Sequence, residues 1–298
     1  MSTVVPRASQ IAALVQFTLL TVGTSASDVI HTVVLREFAG VFGVPLSSVN
    51  RLNALYLFCY VVLGPFVTRA FERVGLRRSM LLASMLNLAG CCLKTAAVLL
   101  SSDHTGGGNE LAWPWWVFVA GQVFVAMSIN FCMAGPTVLS SSWFAPDERT
   151  LATSIVTQAD SAGIAIGALF PTPLFACLKA SPNVPIFGGP GDRGPIAGIF
   201  AVMLLVAVID TILNVFGTSE PPAVPPQSAT VSPVKAVGSP ENDGTFGPPL
   251  PPPPVTPELR REQWQQVLIL CLAGGLSVGV FWGHAPVFVE LLLPFGFS

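Results

Sequence analysis

Residues 68–78 read Thr68-Arg69-Ala70-Phe71-Glu72-Arg73-Val74-Gly75-Leu76-Arg77-Arg78, a basic loop between two apolar runs, 49–70 and 79–100. Each run is close to the ~20 apolar residues that a helix needs to cross ~30 Å of hydrocarbon. Gly75 permits a tight turn between the two helices, and the arginines hold the loop on one side of a bilayer. Working outward, five more such runs lie near 11–35, 114–140, 150–177, 195–217 and 264–293. They are too long for ~10-residue barrel strands and lack the alternation that strands show. The expectation is an all-α membrane protein with seven spans.

Composition agrees. Of 298 residues, 52% are hydrophobic and only 10% charged, against about 25% charged in a soluble domain. Lipid is therefore the expected partner of most of the surface. A net charge of -2 argues against nucleic acid as a partner. Cys59, Cys91, Cys92, Cys132, Cys177 and Cys271 all lie in apolar runs without CxxC spacing. They read as buried small hydrophobes, with no disulfide framework, metal site or cofactor implied. Thr24-Ser25-Ala26 offers only a weak cleavage site, so the first run reads as a span and not as a signal peptide. Trp113, Trp115 and Trp116 enter the fourth span as an interfacial belt.

The basic residues orient the chain. With the N-terminus in the cytosol, nine fall on the cytosolic side: Arg7, Arg69, Arg73, Arg77, Arg78, Arg149, Lys235, Arg260 and Arg261. Four fall opposite, Arg36, Arg51, Lys179 and Arg193, and Lys94 lies inside a span. This bias predicts a cytosolic N-terminus. The division that follows is a six-helix bundle over 1–217, a linker over 218–262 and a seventh helix within 263–298. Thirteen prolines in the linker exclude helix and strand and predict polyproline II or disorder. The run at 248–254 reads first as part of a spacer; SH3 or WW docking is the alternative reading.

Two sets of motifs carry a resemblance. The acid-basic-x-Gly core of the opening stretch, Glu72-Arg73-Val74-Gly75 followed by Arg77-Arg78, resembles the loop signature of the major facilitator superfamily. Thr68 stands here for the usual Gly and Glu72 for the usual Asp. The second set is Gly121-Gln122, Ala134-Gly135-Pro136-Thr137, Trp143-Phe144-Ala145-Pro146-Asp147-Glu148-Arg149, Ala152-Thr153-Ser154-Ile155 and Gly163-x3-Gly167. It resembles the fourth and fifth helices of solute carrier family 49, the feline leukaemia virus subgroup C receptor-related carriers. Asn87-x2-Gly90-x3-Lys94 and Gly279-Val280-Phe281 fit the same family. The Ala-Gly-Pro-Thr string and the proline-rich loop lean toward its disrupted-in-renal-carcinoma branch.

The resemblance implies a twelve-helix carrier of two six-helix halves. This chain would then hold the N-terminal six-helix bundle of a major facilitator fold plus helix 7, with the C-terminal half missing. It implies transport of a small organic solute such as vitamin B6, a choline-like amine or haem, in the plasma membrane or a lysosome-like organelle. It also implies that Glu72, Arg73, Gly75 and Arg77 latch one conformational state. Choline carriers of the family place one aromatic on helix 1 and another on helix 7. The helix 7 position is about Trp282, and an amide on helix 4 falls at Asn130. The helix 1 position falls near Asp28, which offers no π-face. The rival expectation is a non-transporting membrane subunit that pairs with a full-length carrier. Intramembrane hydrolase chemistry of the Gly-x-Ser-Gly kind has no support, because Asp160-Ser161-Ala162-Gly163 lacks the first Gly and puts Ala before Gly.

Ionisable residues inside spans need a reason, since charge in hydrocarbon is costly. Asp160 is ten residues after Thr150, hence ~15 Å deep and near the midplane. It is the leading candidate for a substrate-cation or proton site, with a helix-packing carboxyl as the alternative. Asp28 and His31 share a helix face, ~26–30 Å from Ile11 and toward the far mouth. They read as a proton-responsive pair or as interfacial residues. Lys94 and Asp210 sit on spans that are peripheral in the superfamily, and a structural role is expected for both. His284 reads as interfacial.

Overall fold

The computed structural model describes residues 7–101, 113–181, 187 and 191–217, apart from the side chains of Ala54 and Leu57. They fall within a compact unit, Met1–Ser232. The seventh span, with Trp282, His284 and Cys271, and the proline run at 248–254 lie outside the described residues.

Eight helices follow in order: α1 Arg7–Val33, α2 Leu35–Phe42, α3 Leu46–Val74, α4 Leu76–Leu100, α5 Trp113–Trp143, α6 Arg149–Leu169, α7 Pro171–Lys179 and α8 Arg193–Phe216. No strand occurs among the described residues. With α6 and α7 counted as one span, six helices of 24 to 31 residues are long and apolar enough to cross a membrane. At ~1.5 Å per residue they reach ~36–46 Å, beyond the ~30 Å of hydrocarbon. The helices therefore run a few residues past the apolar runs, because backbone hydrogen bonding continues into the interfacial layer.

Two features differ from the sequence reading. The first span continues, after a break at Val34, into α2, whose apolar face buries Phe38 and Phe42. Pro136 lies inside α5 without ending it, as Pro65 does in α3. The break in the fifth span comes at Phe170, and Pro171 opens α7. Proline is tolerated at a helix start because its missing N–H is unpaired there in any case.

Burial follows from packing rather than hydropathy. One core joins α1, α2, α4, α5 and α8 around Phe38, Trp115, Phe118 and Phe200. A second joins α1, α3, α4, α5 and α6 around Phe17, Met80, Leu139, Trp143 and Val156. The remaining apolar surface on α3 and α6, such as Val61 and Leu169, each 75% exposed, suits lipid or further protein rather than water. Cys59, Cys91 and Cys132 are buried, but Cys92 and Cys177 are exposed, which corrects the expectation that all would be buried. An apolar run shows that a residue lies in the membrane, not that it lies inside the protein.

Glycines set two close crossings. A Cβ on Gly121 would stand 2.9 Å from the Gly90 carbonyl oxygen, so α4 and α5 touch backbone to backbone. Gly163 and Gly167 meet α1 at Val22 and Ala26 in the same way. Small residues at such a seam let helices approach without a hydrophobic driving force. Gly75, at φ 87, joins α3 to α4.

Candidate functional site

The α1–α6 crossing delivers the first polar contact. Asp160 lies one turn before Gly163, and Ser25 on α1 donates from Oγ to its Oδ1 at 2.6 Å. Asp160 is partly buried. The rest of that face of α6 is polar and open. Thr150, Ser154, Thr157, Gln158 and Ser161 are exposed. The hydroxyls of Ser154 and Thr157 donate to the carbonyls of Thr150 and Thr153, and their lone pairs remain available. Arg149, Thr150, Thr153, Ser154, Thr157 and Gln158 line an open depression of about 420 Å³. Hydrocarbon is a poor cover for such a face, whereas a wet cavity suits it.

A second contact forms between α1 and α5. Asp28 is 7% exposed and accepts at Oδ1 from Gln122 Nε2 at 2.6 Å. Lys94 on α4 is fully buried. Its Nζ donates to the Ser27 carbonyl at 2.8 Å and stands 5.5 Å from the Phe118 ring centroid. It is also in electrostatic reach of Asp28. A carbonyl and a ring face together replace part of the water that an ammonium loses on burial. Ser25, which holds Asp160, and Asp28 are three residues apart on one face of α1, so the two acids meet α1 on neighbouring turns.

The other sequence candidates are placed differently. His31 is completely buried among aromatics, its ring 6.2 Å from Phe38 and 6.1 Å from Phe118. Among the described residues neither ring nitrogen meets hydrogen-bond geometry with a partner, and Lys94 and Asn53 are the side chains in electrostatic reach. Asn130 is buried and donates to the Ala126 carbonyl of its own helix at 2.7 Å, with Oδ1 unpaired among the described residues. Eight residues separate it from Gln122, or ~12 Å along α5. Asp210 on α8 is buried against Gly23 of α1. In the loop signature Glu72 and Arg73 are exposed and Arg77 partly so. No group of three His, Cys, Asp or Glu suited to a metal occurs among the described residues.

Sequence reasoning did not single out Ser25 or Gln122 as site residues. Gln122 entered only as half of the Gly121-Gln122 pair. The available signal was polarity deep inside apolar runs, which Gln122 shows as clearly as Asp160.

Residues 17–298 match the family model of the Major Facilitator Superfamily. The chain belongs to that superfamily. Within it the chain is similar to solute carrier family 49. It is 32% identical over 185 residues to the choline/ethanolamine transporter flvcr2a of Danio rerio, covering 62% of this chain and 35% of that protein. It is 28% identical over 196 residues to the choline/ethanolamine transporter FLVCR2 of Homo sapiens, covering 64% and 33%. It is 24% identical over 258 residues to solute carrier family 49 member A3 of Danio rerio, covering 86% and 46%. The chain thus spans between a third and a half of the length of these relatives. As a major facilitator chain with several apolar helices it is an integral, multi-pass membrane protein.

Proposed function

We propose that this chain forms the N-terminal bundle of a carrier that moves a small organic solute by alternating access. The observation that carries this reading is the open polar face of α6, which runs from Arg149 to Asp160. In this reading Asp160, at the inner end of that face, and Asp28, one turn from Ser25 on α1, are the substrate-facing acids. A small amine is the first candidate substrate, supported by these two acids and by the names of the relatives. Vitamin B6-like solutes and haem stand behind it. The proposed arrangement is a six-helix bundle over 1–217, a cytosolic linker over 218–262 and a seventh helix within 263–298. The N-terminus is cytosolic, in a plasma or lysosome-like membrane. Glu72, Arg73, Gly75 and Arg77 form the latch loop at the cytosolic face, exposed enough to meet a second bundle. Trp282 and Asn130 are further candidates for contact with the solute.

The test is uptake of labelled amines in cells that express the protein from its complete natural transcript. Asp160→Asn keeps the size of the side chain and an acceptor for Ser25 but removes the charge. The expected result is normal membrane expression with uptake reduced at least about tenfold, the scale of one charge-assisted hydrogen bond. Wild-type uptake in the Asn variant would reduce Asp160 to a packing residue. No saturable uptake of any of the three solute classes by the unmodified protein would remove the carrier reading itself.

A further inference from the structure

Asp28, Gln122 and Asp160 place a surplus of hydrogen-bond acceptors along two neighbouring turns of α1. Gln122 Nε2 donates to Asp28. A carboxylate accepts only, so the amide must present its nitrogen there. Gln122 Oε1 is thereby turned alongside the carboxylate, and it is buried with no partner among the described residues. Asp160 has one oxygen engaged by Ser25. Lys94 is the buried cation in reach of Asp28, and it spends a donor on Ser27. By formal count two acidic side chains stand here against one basic one.

We propose that Asp28, Gln122 and Asp160 bind a protonated amine that carries N–H groups, and select it over a quaternary ammonium ion. This rests on the reading of the chain as a solute carrier. One ammonium group balances the remaining charge. Its N–H donors pair with the acids and with Gln122 Oε1. A quaternary ammonium has the same charge but no donor. Its methyl groups would cover these acceptors and leave them dry and unpaired.

The test compares phenethylammonium with its N,N,N-trimethyl analogue, by calorimetry on the full-length protein in nanodiscs. The primary ammonium is expected to bind at least about tenfold more tightly. Asp28→Asn should weaken its binding by about tenfold while leaving the trimethyl probe nearly unchanged, so that the preference collapses. A merely structural Asp28 would weaken both probes together. Equal or tighter binding of the trimethyl probe to the unmodified protein overturns the proposal without any variant, as does the absence of binding by both. A full preference retained in a folded Asp28→Asn protein overturns the assignment to Asp28. Where that variant does not fold, the preference of the unmodified protein decides. Uptake of some other solute alongside a failure here would leave the carrier reading standing and this one refuted.

Discussion

Gly163→Ala adds one carbon where α6 crosses α1, and the consequence can be worked out. The new Cβ would stand 2.6 Å from the Val22 carbonyl oxygen, 2.9 Å from Ser25 Cβ and 3.0 Å from Val22 Cα. Ordinary contact begins at 3.4 Å, so the helices must part by 3.4 minus 2.6, or 0.8 Å. The nearest obstacle is backbone, which cannot rotate aside. The same displacement would stretch the 2.6 Å bond between Ser25 and Asp160 to about 3.4 Å, past the useful range for a hydroxyl donor. Overpacking costs ~1–3 kcal/mol and a lost bond to a carboxylate ~1.5–3 kcal/mol. A destabilisation of about 2.5–6 kcal/mol is expected. Gly40→Ala is the control, since nothing lies within 4 Å of its Cβ; there the gain in helix propensity is ~0.5–1 kcal/mol. Both are read as unfolding midpoints in the same nanodisc. Ser25→Ala, costly alone, should cost almost nothing in the Gly163→Ala background, because its bond is already gone. Additive costs, or a Gly163→Ala protein that unfolds with the wild type, would refute the close crossing.

Two further outcomes are expected. Gly75→Ala should lower stability by ~1–3 kcal/mol, because φ 87 with ψ 166 is a conformation that essentially only glycine adopts; an unchanged midpoint would count against the turn geometry. In tag-accessibility mapping, the N-terminus and residues 218–262 should be reached from the cytosol and residues 102–112 from the other side, following the bias of basic residues. A proline-rich segment reached from outside would reverse the orientation.

Much of the fold was legible because a bilayer imposes a simple length rule. Six of the expected spans coincide with six long helices; the seventh lies outside the described residues. The rule is silent on finer detail. The first span was expected to end near 35, and α2, which follows the break at Val34, had no counterpart among the expected spans. α5 continues through Pro136. In a bundle, neighbouring groups can take up the freed carbonyl.

The sequence by itself determined that the chain enters lipid, how many described helices are long and apolar enough to cross it, and that Lys94, Asp160 and Asp210 lie inside spans, where charge is costly. Periodicity along one helix also put Asp28 and His31 on a shared face. It could not say what stands opposite. Only the tertiary structure gave Asp28 to Gln122 and His31 to Phe38 and Phe118. Partners across a seam depend on which helices touch and at what height. Here that is settled where glycines let backbones meet, at Gly90 with Gly121 and at Gly163 and Gly167 against α1. Helical spacing specifies direction around an axis, whereas a binding site needs the separation between axes, and that is a property of the packed bundle.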